Sequence, residues 1–324
     1  MITTKTDDLH RNLLQALKNR IPEQTKLVEA LKEVLCMEKG AIYRRLRGEV
    51  PFTFFEVAKI SEKLNIPLNK FINADSHLVD RFNMPFFEYA DMSETDYKQW
   101  EDYTALICTA KDDPHSELAE SSNVLPLTIY AKFDSLSKYY LFKYHYLLHE
   151  SEDRASYGDI VIPDRMHRIY RSCFNASRNF ANTIYIWDYL IFKYLAADIR
   201  FFSDIKLISA DDIREIRKDL LALLDYVEEI AFHGYLKETG NSVSFYISDI
   251  NLDADYSYVQ INNIFISHIR AFIINSVGST DYSSFLKTKN WIHSLKKSST
   301  LISESGTVFR AEFFEEQRRM IAEL

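Results

Sequence analysis

The feature that most narrows the fold is a train of short helical patterns in the first 72 residues, each closed by its own stop signal. Leu9, Leu13, Leu14 and Leu17 recur at helical spacing behind Asp7 and Asp8, either of which suits a helix cap. Ile21-Pro22 ends that segment, because the residue before a proline is pushed out of the helical region. A second helix starts at Thr25 and sets Leu27, Leu31, Val34 and Leu35 on one face. After a short break at Cys36–Glu38, a third runs from Lys39 to Arg47 and stops at Gly48, which accepts the left-handed conformation of a helix terminus. Thr53 and Glu56 match the reciprocal capping box ahead of Val57, Ile60 and Leu64. Asn65-Ile66-Pro67 ends that helix, and Pro67 suits the first turn of a fifth, "PLNKFI".

The same segment differs in charge from the rest of the chain. Residues 1–72 hold 13 Lys and Arg against 9 Asp and Glu, whereas the remainder holds 26 against 38, for a net charge of -8. Such an asymmetry marks a module with its own partner, and a basic module suits a polyanion. The positive charge is concentrated further. Four of the nine residues from Lys39 to Arg47 are basic and none is acidic.

Leu27–Ile72 resembles the lambda-repressor/Cro-like helix-turn-helix domain in its Bacteroidetes-type variant. The resemblance covers about the first 72 residues. It implies a five-helix DNA-binding domain in which Leu27–Leu35 is the supporting helix and Lys39–Arg47 the recognition helix in the major groove. The turn carries Cys36 where the family often has Gly nearby, Glu38 where a small polar cap is usual, and Arg45 where an apolar residue is common.

Helical geometry leads to the same face independently. At about 100° per residue, Ile42 and Leu46 lie about 40° apart and can anchor the third helix. Arg44, Arg47 and Gly40 lie about 200°, 140° and 160° from Ile42, so they point away from that anchor, with Tyr43 on the flank. Arg44 is the candidate for bidentate contact with guanine; Arg47 and Tyr43 read bases or hold phosphates, and Lys39 and Arg45 hold phosphates. Against this stands the ordinary reading of an arginine run as a solvated face, with Arg45 paired to Glu29 or Glu49.

Beyond a polar linker at residues 73–80, helical periodicity dominates residues 81–324. Ser93 starts one helix, Leu125–Leu148 is helical and aromatic, Pro163 opens two helices reaching Phe202, and Ser209 caps a long amphipathic one. Ser242–Ile250 alternates like a strand, with Asp255–Ile261 as its hairpin partner; "FISHIRAFIINS" returns to helical spacing, and two helices flanking the loop "SSTLISESGT" close the chain. The expected fold class is therefore mainly α: a five-helix lambda-repressor-like domain, then a larger, mostly helical dimerisation or regulatory domain with a small β-hairpin. The chain has only 7 Gly and 7 Pro, which disfavours turn-rich β architectures, while 22 Phe and 20 Tyr supply a large core.

Other chemistries find weak support. His145 and His149 stand at i,i+4, but no third ligand accompanies them. Asp249–Gln260 partly matches a calcium loop, yet Ala254 and Gln260 replace the required Gly and Glu, leaving a solvated hairpin turn. No phosphate-cradling or catalytic nucleophile signature occurs, so neither an enzyme nor a bound cofactor or metal is expected. Cys36, Cys108 and Cys173 form no CxxC pair and read as reduced thiols; two Asp precede the first apolar residues, unlike a secretory leader, and Asp188, Lys193 and Asp198 interrupt the most apolar stretch. The expectation is a cytoplasmic transcriptional regulator that binds double-stranded DNA as a homodimer, without membrane association. A small-molecule or peptide effector would bind the second domain. The rival readings are a protein-interaction adaptor that does not bind DNA, and an enzyme in the second domain.

Overall fold

A computed structural model describes residues 3–64, 66, 89, 92–148 and 155–324. The chain divides into two compact units. The first comprises Met1–Phe82 with Asn263–Ile266 and Ser279–Leu286; the second comprises Asn83–Asn262, Ser267–Gly278 and Lys287–Leu324. The expected linker at 73–80 and the fifth helix at 67–72 lie outside the described residues.

In the first unit, α1 (Thr3–Arg20), α2 (Gln24–Leu35), α3 (Lys39–Leu46) and α4 (Phe54–Leu64) follow the breaks read from the sequence. Their core is built by Leu13 and Leu17 from α1, Leu27, Val28 and Leu31 from α2, Ile42 from α3 and Ile60 from α4. Two starts differ from expectation. α1 begins at Thr3, so Asp7 and Asp8 lie inside it rather than at its cap, and α2 begins at Gln24 after Glu23, whose side chain makes no cap bond. Gly48 and the Thr53–Glu56 pair act as read. Gly48 has φ +77°, and Thr53 and Glu56 bond reciprocally, with the Thr53 N–H donating to Glu56 Oε2 at 2.8 Å and the Glu56 N–H donating to Thr53 Oγ1 at 3.3 Å. Cys36, between α2 and α3, holds φ 53° and ψ 45°, a left-handed turn made without glycine.

The rest of the chain corrects the expected mainly helical domain with one hairpin. It is organised by a seven-stranded mixed sheet in the order β6-β5-β4-β1-β2-β3-β7. The strands are β1 (Glu117–Ser122), β2 (Asn182–Asp188), β3 (Ser242–Ser248), β4 (Tyr256–Ile261), β5 (Ile264–Ala271), β6 (Asn275–Ser279) and β7 (Ser299–Leu301). β1, β2 and β3 run parallel; β4 is antiparallel to β1, and β7 to β3. Parallel neighbours need long crossovers, and helices supply them. After α5 (Glu94–Cys108), α6 (Asp134–Leu148) and α7 (Asp164–Ser177) connect β1 to β2, and α8 (Ile191–Asp204) and α9 (Ala210–His233) connect β2 to β3. α10 (Tyr282–Leu295) and α11 (Thr307–Ala322) follow β6 and β7, and a single helical turn at Leu127–Tyr130 precedes α6.

Three particular expectations fail for physical reasons. "NTIYIWD" is β2, not helix. All but its first residue are buried, so its apolar run has no period. "FISHIRAFIINS" contributes to β5 and β6 rather than to a helix. β3 and β4 are not a hairpin, because β2 and β1 lie between them. The segment joining them is consequently no hairpin turn, although Asp249, Ile250, Asn251 and Asp253 are exposed in it. Asp255 is buried, and Leu252 N–H donates to Asp188 Oδ2 at 2.9 Å. The capping residues Ser93 and Ser209 act as expected, each in a complete capping box.

Candidate nucleic-acid interface

The interface expected from the sequence rests on how α3 is seated. Ile42 is fully buried, and Leu46 and Tyr43 pack partly buried against the same core. This fixes the rotation of the helix. The side chains of Lys39, Arg44 and Arg47 are then 58%, 61% and 57% exposed, and a Cβ added at Gly40 would meet nothing within 4 Å. The helix ends cleanly: Arg47 N–H donates to the Tyr43 carbonyl at 3.0 Å, Gly48 N–H to the Arg45 carbonyl at 3.0 Å, and Glu49 N–H to the Arg44 carbonyl at 2.9 Å.

Arg45 stands apart from the other three cations. Its Nε donates to Glu56 Oε2 at 3.1 Å and its Nη2 to Glu56 Oε1 at 2.7 Å, and the two side chains are only 15% and 11% exposed. It pairs with neither Glu29 nor Glu49. Burial raises the Glu56 pKa, but the bonds from Arg45 and Thr53 outweigh it and leave the carboxyl below its usual range. Glu56 thereby caps α4 and clamps α3 to it. The Thr53–Glu56 half of this arrangement is the capping box expected from the residue spacing. The pairing of Arg45 with Glu56 departs from expectation, which has Arg45 holding phosphate or pairing with Glu29 or Glu49.

The exposed cations have acidic neighbours. Lys39 Nζ sits 2.6 Å from Glu29 Oε1, which raises the lysine pKa and lowers that of the glutamate through the hydrogen bond between them. Arg47 Nε donates to Glu49 Oε1 at 2.6 Å, and Arg44 Nε lies 3.6 Å from Glu49 Oε2. The bond from Arg47 lowers the Glu49 pKa and raises its own. Glu49 therefore sits between two guanidinium groups. Exposed pairs of this kind are weak and easily exchanged. Close by, His10 Nε2 lies 3.1 Å from the Arg45 carbonyl, and its ring stacks on Phe52.

The other constellations do not gather into sites. His149 lies outside the described residues. Asp249 is engaged by the Thr300 hydroxyl and Asp255 by Arg270, so the resemblance to a calcium loop dissolves. Among the described residues, no three His, Cys, Asp or Glu side chains are placed to share a metal ion, and no helix is long and apolar enough to cross a membrane. The three cysteines are unpaired. Comparison with known proteins finds no matching family model, no matching curated protein and no matching solved structure.

Proposed function

We propose that the first unit is a helix-turn-helix that binds double-stranded DNA, and that the chain is a sequence-specific transcriptional regulator. The observation that carries this reading is the seating of α3: buried Ile42 turns Lys39, Arg44 and Arg47 into solvent, with Gly40 between them offering no steric bar to a close approach. In the proposed complex, α3 enters the major groove. Arg44 and Arg47 leave Glu49 for base edges and phosphates, Lys39 exchanges Glu29 for a phosphate, and Tyr43 packs along the groove wall. Arg45 takes a structural part, holding α3 against α4. The second unit supplies dimerisation and effector sensing, so that two α3 helices address half-sites about 34–36 Å apart.

The test is a gel-shift titration on genomic fragments flanking the gene, with Arg44→Ala and Arg47→Ala beside the parent. Each substitution should weaken binding and flatten the dependence on salt, because each removes a phosphate-neutralising cation. Parent-like affinity and salt slope in both variants would discard the assigned face.

One observation favours the adaptor reading instead. Phe54 and Phe55, side by side at the start of α4, are 75% and 80% exposed. Adjacent exposed aromatics suit burial against a protein partner. That reading expects Phe54→Ala with Phe55→Ala to abolish co-purification of a protein, and expects no salt-dependent DNA affinity in the parent.

A further inference from the structure

The second unit contains a cavity of about 310 Å³ against one face of β1 and β4. That is room for roughly ten water molecules, in the range of small-ligand pockets. Its walls are aromatic and polar in separate places. Trp100 and Tyr103 of α5, Tyr130 and Phe180 supply ring surface. The floor is Glu120, in register with Tyr185 on β2 and Ser257 on β4.

Glu120 is the unusual group. The Thr128 hydroxyl donates to its Oε2. Its Oε1 receives no hydrogen bond and is not among the occluded polar atoms, so it opens onto the cavity that the residue lines. The charge facing it settles what fits. Arg270 is committed to Asp255, with Nε 2.9 Å from Oδ2, and its Nη2 donates to the Leu125 carbonyl at 3.4 Å. The two charges offset each other, although burial holds the Asp255 carboxyl above its usual range against the pull of Arg270. Glu120 is then the one carboxylate lining the cavity without a cation of its own.

The remaining titratable groups facing it stay uncharged near neutral pH. Burial holds His268 down to about 4, lifts the Cys173 thiol to about 12, and moves Tyr103 and Tyr130 upward. Burial also lifts Glu120 itself to about 7, against the smaller opposing effects of Thr128 and Arg270. An ionised carboxylate in such a place is costly unless a cation joins it. The surrounding rings favour that same charge, since aromatic faces attract ammonium groups. A Cβ at Gly278 would press on the His268 ring at 3.2 Å, so glycine there leaves the histidine its place in the wall.

We propose that this cavity binds a small organic monocation of the arylalkylammonium class, its ammonium group on Glu120 Oε1 and its ring among Trp100, Tyr103 and Tyr130. The site lies wholly in the second unit and stands whether or not α3 binds DNA.

The experiment is calorimetric titration of the full chain with three matched probes: 2-phenylethylamine, neutral 2-phenylethanol and anionic 3-phenylpropanoate, at pH 6 and pH 8. The amine should bind more tightly than either analogue at pH 8. Its affinity should fall by about tenfold at pH 6, as a carboxyl that titrates near 7 is protonated. Glu120→Gln should weaken the amine at least tenfold, leave the alcohol unchanged and remove the pH dependence. Should that variant not fold, the parent's pH response decides. Equal binding of alcohol or propanoate, amine binding that ignores pH or survives Glu120→Gln, or no binding of any probe at millimolar concentration would overturn the proposal.

Discussion

Breaking the Arg45–Glu56 clamp separates a DNA-contacting arginine from a structural one. Both Glu56 oxygens are engaged, by two nitrogens of Arg45 and by the Thr53 N–H. The pair is neither a surface contact, worth about 0–1 kcal/mol, nor fully buried, where loss of one partner costs about 3–5 kcal/mol. With side-chain exposures of 15% and 11%, Arg45→Ala should cost about 2 kcal/mol. Glu56→Ala should cost about 1 kcal/mol more, because the α4 cap goes with it. Amide hydrogen exchange reads this locally. About 2 kcal/mol corresponds to roughly thirtyfold faster exchange in peptides covering α3 and α4. A double-mutant cycle with both substitutions should return a coupling of about 1–2 kcal/mol. The sign with pH is fixed as well. The Glu56 carboxyl is held below its ordinary 4.5, so its stabilisation is complete above that value and fades as pH falls through the lowered one. Exchange unchanged in either single variant would refute the clamp. Weaker DNA binding in Arg45→Ala without faster exchange would return Arg45 to the phosphate-contacting role that the sequence suggested.

Three other outcomes are expected. Glu49→Gln removes the carboxylate shared by Arg44 and Arg47, and should tighten DNA binding a few-fold in low salt, measured by fluorescence anisotropy; weaker binding would mean that Glu49 positions the arginines. Glu120 has its pKa raised from 4.5 to about 7, so the parent should lose up to about 3 kcal/mol of stability as pH rises through that window, whereas Glu120→Gln should not. Melting temperatures of the two proteins at pH 5 and pH 8 check this, and a variant less stable than the parent at pH 8 contradicts it. Cys36→Gly relieves a left-handed residue worth about 1–2 kcal/mol but gives back about 0.4–1 kcal/mol through the unfolded chain; urea denaturation should show a net gain of about 0.5 kcal/mol, and any loss would count against strain at that turn.

The two units differ in how openly their residues announce them. In the first, most breaks carry a local chemical signal, although no glycine marks the left-handed turn at Cys36, and Ile42 is buried where helical angles put it. What stayed hidden there was pairing: nothing in spacing alone chooses Glu56 over Glu29 or Glu49 for Arg45. In the second unit, the parallel strands are enclosed by crossover helices. Tyr185, Ile186 and Trp187 are all buried, so β2 lacks the alternation that betrays a half-exposed strand. β1 hides for the opposite reason. "ELAESS" reads as polar, yet Ser121 and Ser122 are buried. β5 carried no period-two signal, since Ile264, Phe265 and Ile266 run together and His268 and Arg270 fall on the same parity as the two isoleucines, so its apolar residues satisfied a helical reading. Glu120 could not have been singled out, because its chemistry comes from rings and an ion pair contributed by distant segments.

The strand order has a consequence during biosynthesis. β1 forms its antiparallel edge with β4, and Ser121 bonds across to Tyr256, 135 residues later. At ribosomal rates of about 5–20 residues per second, β1 waits on the order of 10 s for that neighbour to leave the exit tunnel. The contacts joining α1 to α4 are all local by comparison, and local contacts form quickly. The N-terminal helices can therefore assemble on the nascent chain while the sheet is still incomplete, leaving the β1 edge in need of shielding until synthesis is nearly over.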